Sequence, residues 1–160
     1  MRLTIAGIVF VASVLINASS AFADATLFIG TSPTPTNRQV RGGSVGISLI
    51  IVGFEFEYAN TTEDLLRAAP SIKVGSGNGL LQSPVEILHV QPYVTGGFGL
   101  YSETLGAHQE TGFASNTGGG VKISLAGPLR VRVDYRVFKL GGGALYSPAH
   151  RVYAGVNLKF

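Results

Sequence analysis

Two segments of the chain alternate charged with apolar side chains in a way that allows their charges to pair. Every second residue of segment 130–136 is charged, and segment 54–58 places two carboxylates between aromatic residues. Successive side chains of a strand point to opposite faces, so the charges of each segment share one face. An arginine guanidinium can bridge a carboxylate with two hydrogen bonds, so ion pairs between the two segments are the expected chemistry. Together with residues of the same phase elsewhere, the predicted network comprises Glu55, Glu57, Glu86, Lys122, Arg130, Arg132, Asp134, Arg136, Arg151 and Lys159.

The three histidines are the other candidates for catalysis or metal binding. By sequence His108 lies near Ser102, His150 lies near Ser147, and His89 falls in a short connection. A nucleophile needs a base within hydrogen-bond reach and a group that orients the base, and no enzyme motif surrounds these residues. Single, widely spaced histidines are also poor metal ligands. The sequence therefore predicts no catalytic residue, no metal site and no cofactor.

Composition excludes several classes of protein. The 160 residues include 12 Lys and Arg, 9 Asp and Glu, and no cysteine. This small positive excess gives no case for nucleic-acid binding. A chain without cysteine has neither a disulfide framework nor a thiolate metal site.

Residues 1–23 have the features of a secretory signal peptide, with Arg2, an apolar stretch over 5–16 and the small-x-small site Ala21-Phe22-Ala23. A membrane helix needs about 20 apolar residues, and this stretch is shorter. We therefore predict a signal peptide over 1–23 and one domain over 24–160. The longest later apolar run, 45–54, is also too short for such a helix, which argues against a helical membrane protein.

Alternation and turn residues predict eight strands in the mature chain. A phase change near Ile51 and Val52 marks a tight turn between the second and third strands. The connections 31–41, 63–70, 104–112 and 139–148 are predicted to be long, whereas those after the second, fourth and sixth strands are short. The predicted strands are 25–30, 42–50, 53–62, 71–88, 91–103, 113–125, 129–138 and a last strand that ends at Phe160.

The last strand shows which side of the sheet is apolar. Val152, Ala154, Val156, Leu158 and Phe160 share one face, and polar, charged or small residues occupy the other. An apolar outside with a polar, charged inside is typical of barrels in lipid, and an outward Arg at the bilayer midplane costs ~2–4 kcal/mol. The charged network therefore belongs inside. We predict an all-β fold: an eight-stranded antiparallel up-and-down transmembrane β-barrel with a polar lumen.

In these respects the chain resembles the small eight-stranded outer-membrane barrels of the OmpA and OmpX type. The resemblance covers 24–160 and includes the closing segment, in which Tyr153, Val156, Leu158 and Phe160 resemble the signal read by the barrel-assembly machinery. It implies an outer-membrane location and a monomer in contact with outer-membrane lipids. It also implies that the assembly machinery and periplasmic chaperones act on the chain during biogenesis. The implied role is structural or surface-interactive in the cell envelope, with an unknown extracellular partner reached through the loops.

Three alternatives remain open at this stage. The lumen could be a narrow, weakly anion-preferring pore, although a barrel of eight strands is just wide enough to be filled by side chains. Some barrels of this class modify lipid A, which makes an outer-leaflet enzyme the second alternative. A soluble lipocalin-like carrier is the third, and the polarity of the strands opposes it.

Overall fold

The computed structural model describes residues 21–160. Most of these residues lie in β-strands, along which inward and outward side chains alternate. The strands form one closed antiparallel barrel in which every strand pairs with its sequence neighbours and the last pairs with the first. In chain order they are β1 (Phe22–Ser32), β2 (Arg38–Ser48), β3 (Val52–Thr61), β4 (Ser71–Gln82), β5 (Val90–Leu105), β6 (His108–Ala126), β7 (Leu129–Leu140) and β8 (Ala149–Lys159). The predicted fold class is therefore confirmed.

The barrel has two distinct ends. The connections 33–37, 62–70, 106–107 and 141–148 lie at one end, here called the loop end. A short 3-10 helix, Leu65–Arg67, lies in the second of them. The opposite end, here called the terminal end, holds the connections 49–51, 83–89 and 127–128. The two chain ends also meet there, where the Ala23 and Phe160 backbones exchange hydrogen bonds of 2.8 and 2.9 Å.

Several predicted boundaries were wrong. Residues 31–41 were predicted to be a loop, but β1 continues to Ser32 and β2 begins at Arg38, so that the connection is only 33–37. Residues 104–112 were predicted to be a loop, but they continue β5 and β6 into a hairpin whose two-residue turn contains Gly106 at φ 57°. β4 ends at Gln82 rather than at residue 88, because Pro84 has no amide hydrogen to continue the ladder. The connection after β4 is consequently longer than predicted, and the predicted alternation of long and short connections is observed only in part.

The predicted signal peptide lies outside the described residues except for its last three. Phe22 and Ala23 pair with Ser48 and Ile47 at the start of β1. The cleavage site stays a prediction. Among residues 21–160, no helix is long and apolar enough to cross a membrane.

Polarity is inverted relative to a soluble barrel. Outward aromatic side chains are largely exposed, including Phe56 (62%) and Phe98 (77%), whereas Arg132 and Arg136 inside have no exposed surface. The interior is layered. An apolar layer fills the loop end with Ile72, Val74, Tyr101, Ala114, Phe138, Leu140 and Ala149, and charged side chains fill the middle.

Candidate functional site

The centre of the lumen holds three carboxylates and three guanidiniums. β3 supplies Glu55 and Glu57, β7 supplies Asp134 with two of the arginines, and β8 supplies the third; the arginines are Arg132, Arg136 and Arg151. β3 and β7 lie on opposite walls of the ring, so their charges meet across the lumen. With equal numbers of both signs, this central cluster carries no net charge when every group is ionised.

Glu55 is held by two arginines. Arg132 donates to both of its carboxylate oxygens, with Nη2 at 3.3 Å from Oε1, and Arg136 Nη2 donates to the same Oε1 at 2.9 Å. The Ser44 hydroxyl adds a hydrogen bond of 3.0 Å from the neighbouring strand. All these groups are buried, so the carboxylate is desolvated but fully provided with donors.

Asp134 pairs with the arginines of its own strand. Its Oδ1 accepts from Arg136 Nε at 3.0 Å, and its Oδ2 lies 3.4 Å from Arg132 Nη2. The Tyr93 hydroxyl donates to Oδ2 and accepts from Arg132 Nε at 2.7 Å. A Cβ added at Gly120 would lie 2.6 Å from this hydroxyl, so the missing side chain on β6 makes room for Tyr93.

Glu57 links the two remaining arginines. Its Oε2 lies 3.2 Å from Arg136 Nη1 without hydrogen-bond geometry, and its Oε1 accepts from Arg151 Nη2. The guanidinium of Arg151 also lies 4.5 Å from the Phe138 ring centre and 5.4 Å from that of Tyr153. Cation–π contacts of this kind let an arginine border an apolar layer.

Charges near the terminal end form separate pairs. Lys122 Nζ lies 2.9 Å from Asp24 Oδ2, and Arg130 Nη2 lies 3.3 Å from Glu86 Oε1. Glu86 was predicted to face inward from a strand, but it lies in the connection 83–89 because β4 ends early. Lys159 borders a cavity of about 270 Å³, and no residue of the central cluster lines that cavity.

Several buried polar residues were missed in the sequence. Asp24, at the predicted mature terminus, balances Lys122 and also accepts from Asn157 at 3.3 Å. Arg38 and Glu103, at the loop end, are 4% and 0% exposed. The signal for Asp24 was present, since continuing the alternation of β1 back from Thr26 places it inward.

The apolar layer at the loop end closes the lumen above the charges. Phe138 and Tyr101 are 4% and 1% exposed, and the small cavity beside the layer has a volume of about 20 Å³, enough for about one water. Within the described residues, the central cluster thus meets an apolar plug at one end. The arrangement provides ion pairing and packing, and it leaves no wide aqueous path.

The histidines lie apart from the charged cluster. His150 Nδ1 is 2.7 Å from the Tyr135 hydroxyl on the outer face, and Ser147 Oγ instead accepts from the Leu140 amide at 3.0 Å. His108 begins β6 and pairs with Leu105. In residues 21–160 no hydrogen bond joins a serine hydroxyl to a histidine ring, and no three His, Asp or Glu side chains are grouped for a metal ion.

The closing segment divides between the two faces. Val156, Leu158 and Phe160 point outward and are 52%, 46% and 72% exposed, whereas Tyr153 is buried and stacks on Phe28 with ring centres 4.0 Å apart. Recognition of this segment during assembly stays a prediction.

Comparison with solved structures finds the same fold in small outer-membrane barrels. The N-terminal barrel domain of Pseudomonas aeruginosa OprF matches with a TM-score of 0.66 and 15% identity, over 87% of this chain and 97% of that one. Neisserial surface protein A matches with a TM-score of 0.64 and 17% identity, over 88% of this chain and 96% of that one. The outer-membrane enzyme PagL matches with a TM-score of 0.50 and 12% identity, over 84% of this chain and 98% of that one. No protein-family model and no curated protein matches the chain. At these identities the comparisons confirm the fold that the resemblance implied.

Proposed function

We propose that this protein is a monomeric outer-membrane barrel with a structural or surface-interaction role, and that its charged lumen is a structural plug. The observation that carries the proposal is the inverted polarity: large apolar side chains cover the outside, and the charges inside are paired. Phe98 on the outer face is 77% exposed, whereas Arg132 on the lumen face has no exposed surface. Such a surface is stable in hydrocarbon and costly in water.

A plug is favoured over a pore by the arrangement of the lumen. An ion path needs a continuous aqueous route lined by charges free to attract ions. Here the central charges neutralise one another within hydrogen-bond distance, and the layer around Phe138 and Leu140 covers them at the loop end. The same pairing holds opposite walls together, which makes the barrel rigid.

A surface role is supported by the loop end. Leu65 and Leu66 are 63% and 100% exposed on the 3-10 helix of the connection 62–70. That helix is held in place, because Asp64 accepts from the Arg67 amide at 3.2 Å and Glu63 accepts from the Gly106 amide at 2.8 Å. A positioned, exposed leucine pair fits contact with an external partner.

The first test is fractionation of cells that make the full chain, followed by gel electrophoresis of boiled and unboiled samples. The proposal expects the protein in the outer-membrane fraction with a mobility that changes on boiling. A soluble periplasmic protein with unchanged mobility would overturn it and favour the carrier alternative. Planar-bilayer recording then tests the plug: we expect no steady single-channel current, and a current altered by R132Q would contradict it.

A further inference from the structure

Charges on the outer face of the barrel are few, all positive and confined to one end. Within β1 to β8, the outward positions carry Arg41, Lys73 and Lys139 and no carboxylate. Each of the three lies near the loop end of its strand, beyond the apolar band. Outward cations without carboxylate neighbours point to an anionic component of the surroundings.

Two of these cations lie in one row. Arg41 of β2 pairs in register with Asn60 of β3, and Asn60 pairs with Lys73 of β4. All three side chains face outward, and adjacent strands are about 4.8 Å apart, so the backbones that carry the two cations are about 10 Å apart. The side chains of Arg41 and Lys73 make no ion pair or hydrogen bond with the rest of residues 21–160.

An apolar groove lies on the same wall, directly towards the membrane from Arg41. Gly43, two residues along the same face of β2, leaves a gap between Leu27 of β1 and Tyr58 of β3, its partners in register. The groove has a volume of about 340 Å³ and is lined by apolar side chains, among them Leu27, Val45, Phe56, Tyr58, Val156 and Leu158. Its continuity with the apolar band means that an occupant reaches it from within the membrane.

We infer that this wall binds one lipid with a phosphate-bearing headgroup: an acyl chain lies in the groove at Gly43, and the phosphate lies between Arg41 and Lys73. The inference rests on the proposed membrane location. The Asn60 amide can donate to the same phosphate, and arginine and lysine are both suited to phosphate recognition. A second copy of this chain is a poorer occupant, because its outer wall offers no carboxylate to the two cations.

The test is native mass spectrometry of the full chain extracted from membranes in uncharged detergent. The probes are dimyristoyl phosphatidic acid, dimyristoylglycerol and inorganic phosphate. We expect phosphatidic acid to bind more tightly than either of the others. A cation near a membrane surface contributes about 1 kcal/mol to anionic-lipid binding, or about fivefold, so R41Q/K73Q should weaken phosphatidic acid binding about 25-fold.

K139Q is the matched control, since Lys139 is also an outward cation near the loop end but pairs with Ser115 on another part of the wall. The affinity of K139Q for phosphatidic acid should stay within about twofold of the native value. V45F fills the groove without changing charge and should weaken binding roughly tenfold, the effect of about two methylene groups. The single variants R41Q and K73Q replace the double variant if it fails to fold.

Equal binding of phosphatidic acid and dimyristoylglycerol would overturn the inference, as would equal effects of R41Q/K73Q and K139Q. Inorganic phosphate binding as tightly as phosphatidic acid would show that the groove plays no part. Each variant is first checked for heat-dependent gel mobility in vesicles. Failure of the native chain at that step contradicts the proposed function itself, whereas insertion without lipid selectivity contradicts only this inference.

Discussion

Replacing Arg132 by methionine should strongly destabilise the barrel. Arg132 has no exposed surface, bridges both oxygens of Glu55, lies 3.4 Å from Asp134 and donates to Tyr93. Without it, three carboxylates face two guanidiniums in a desolvated lumen. Breaking a buried pair in this way typically costs ~3–5 kcal/mol. We expect R132M to lower the free energy of unfolding by about that amount.

The companion change, Glu55 to glutamine, identifies the cause. E55Q alone leaves three guanidiniums facing two carboxylates, so by the same argument it should also cost ~3–5 kcal/mol. In R132M/E55Q two carboxylates face two guanidiniums again, so the double variant should be no less stable than R132M alone. The expected coupling energy is then at least about 3 kcal/mol, at the upper end for residues in direct contact.

The assay is urea titration of the barrel in lipid vesicles, with the folded fraction read from the heat-modifiable gel band. Far-UV circular dichroism provides a second readout. R67M is the matched control, because the Arg67 side chain is 65% exposed and lies 3.9 Å from Asp64, a geometry that contributes at most about 1 kcal/mol. Additive effects of R132M and E55Q within about 0.5 kcal/mol would refute the argument, since they would show that pairing does not set the stability of the lumen.

Three further predictions concern the wall and its ends. In the same urea titration, Gly120→Ala should destabilise the barrel by ~1–3 kcal/mol, because the added Cβ would lie 2.2 Å from a backbone oxygen. Gly77→Ala is its control and should have little effect, because no atom lies within 4 Å of the Cβ that it adds. Replacing Leu88-His89 by Asn-Gly should raise the unfolding midpoint, because both residues have positive φ angles, 51° and 66°, and left-handed backbone costs ~1–2 kcal/mol per ordinary residue. An unchanged or lower midpoint would contradict that reading of the turn. Deleting Phe160 should reduce the heat-modifiable fraction recovered from outer membranes, and full recovery would argue against its part in assembly.

Alternation in the sequence predicts which side chains face the lumen, and it does so because the polarity of the two faces differs so strongly. Arg132, Arg136 and Glu57 could be placed inside from their own strands alone. Their contacts depend on how strands of the ring lie across from one another, which period-two patterns do not contain. The bidentate pairing of Arg132 with Glu55, rather than with Glu57, is therefore a result of the three-dimensional register.

The missed features have local causes. Asp24 was assigned to the start of the mature chain, so its phase within β1 was not used. The 104–112 segment has few apolar residues because it extends beyond the apolar band, and hydrophobic alternation is the signal that marks a strand. Tyr93 lies on the polar face of β5, but nothing in its neighbours along the chain shows that it links Arg132 to Asp134.

The position of the charged cluster also has a consequence for biogenesis. Glu55 and Arg132 are 77 residues apart in sequence and meet only when β1 and β8 have joined. Before that point, an inserted open sheet would present unpaired arginines to hydrocarbon, at ~2–4 kcal/mol for each one near the midplane. For a barrel in the proposed outer-membrane location, ring closure and entry into the bilayer are therefore energetically coupled, since each central arginine loses this cost only when the ring is closed.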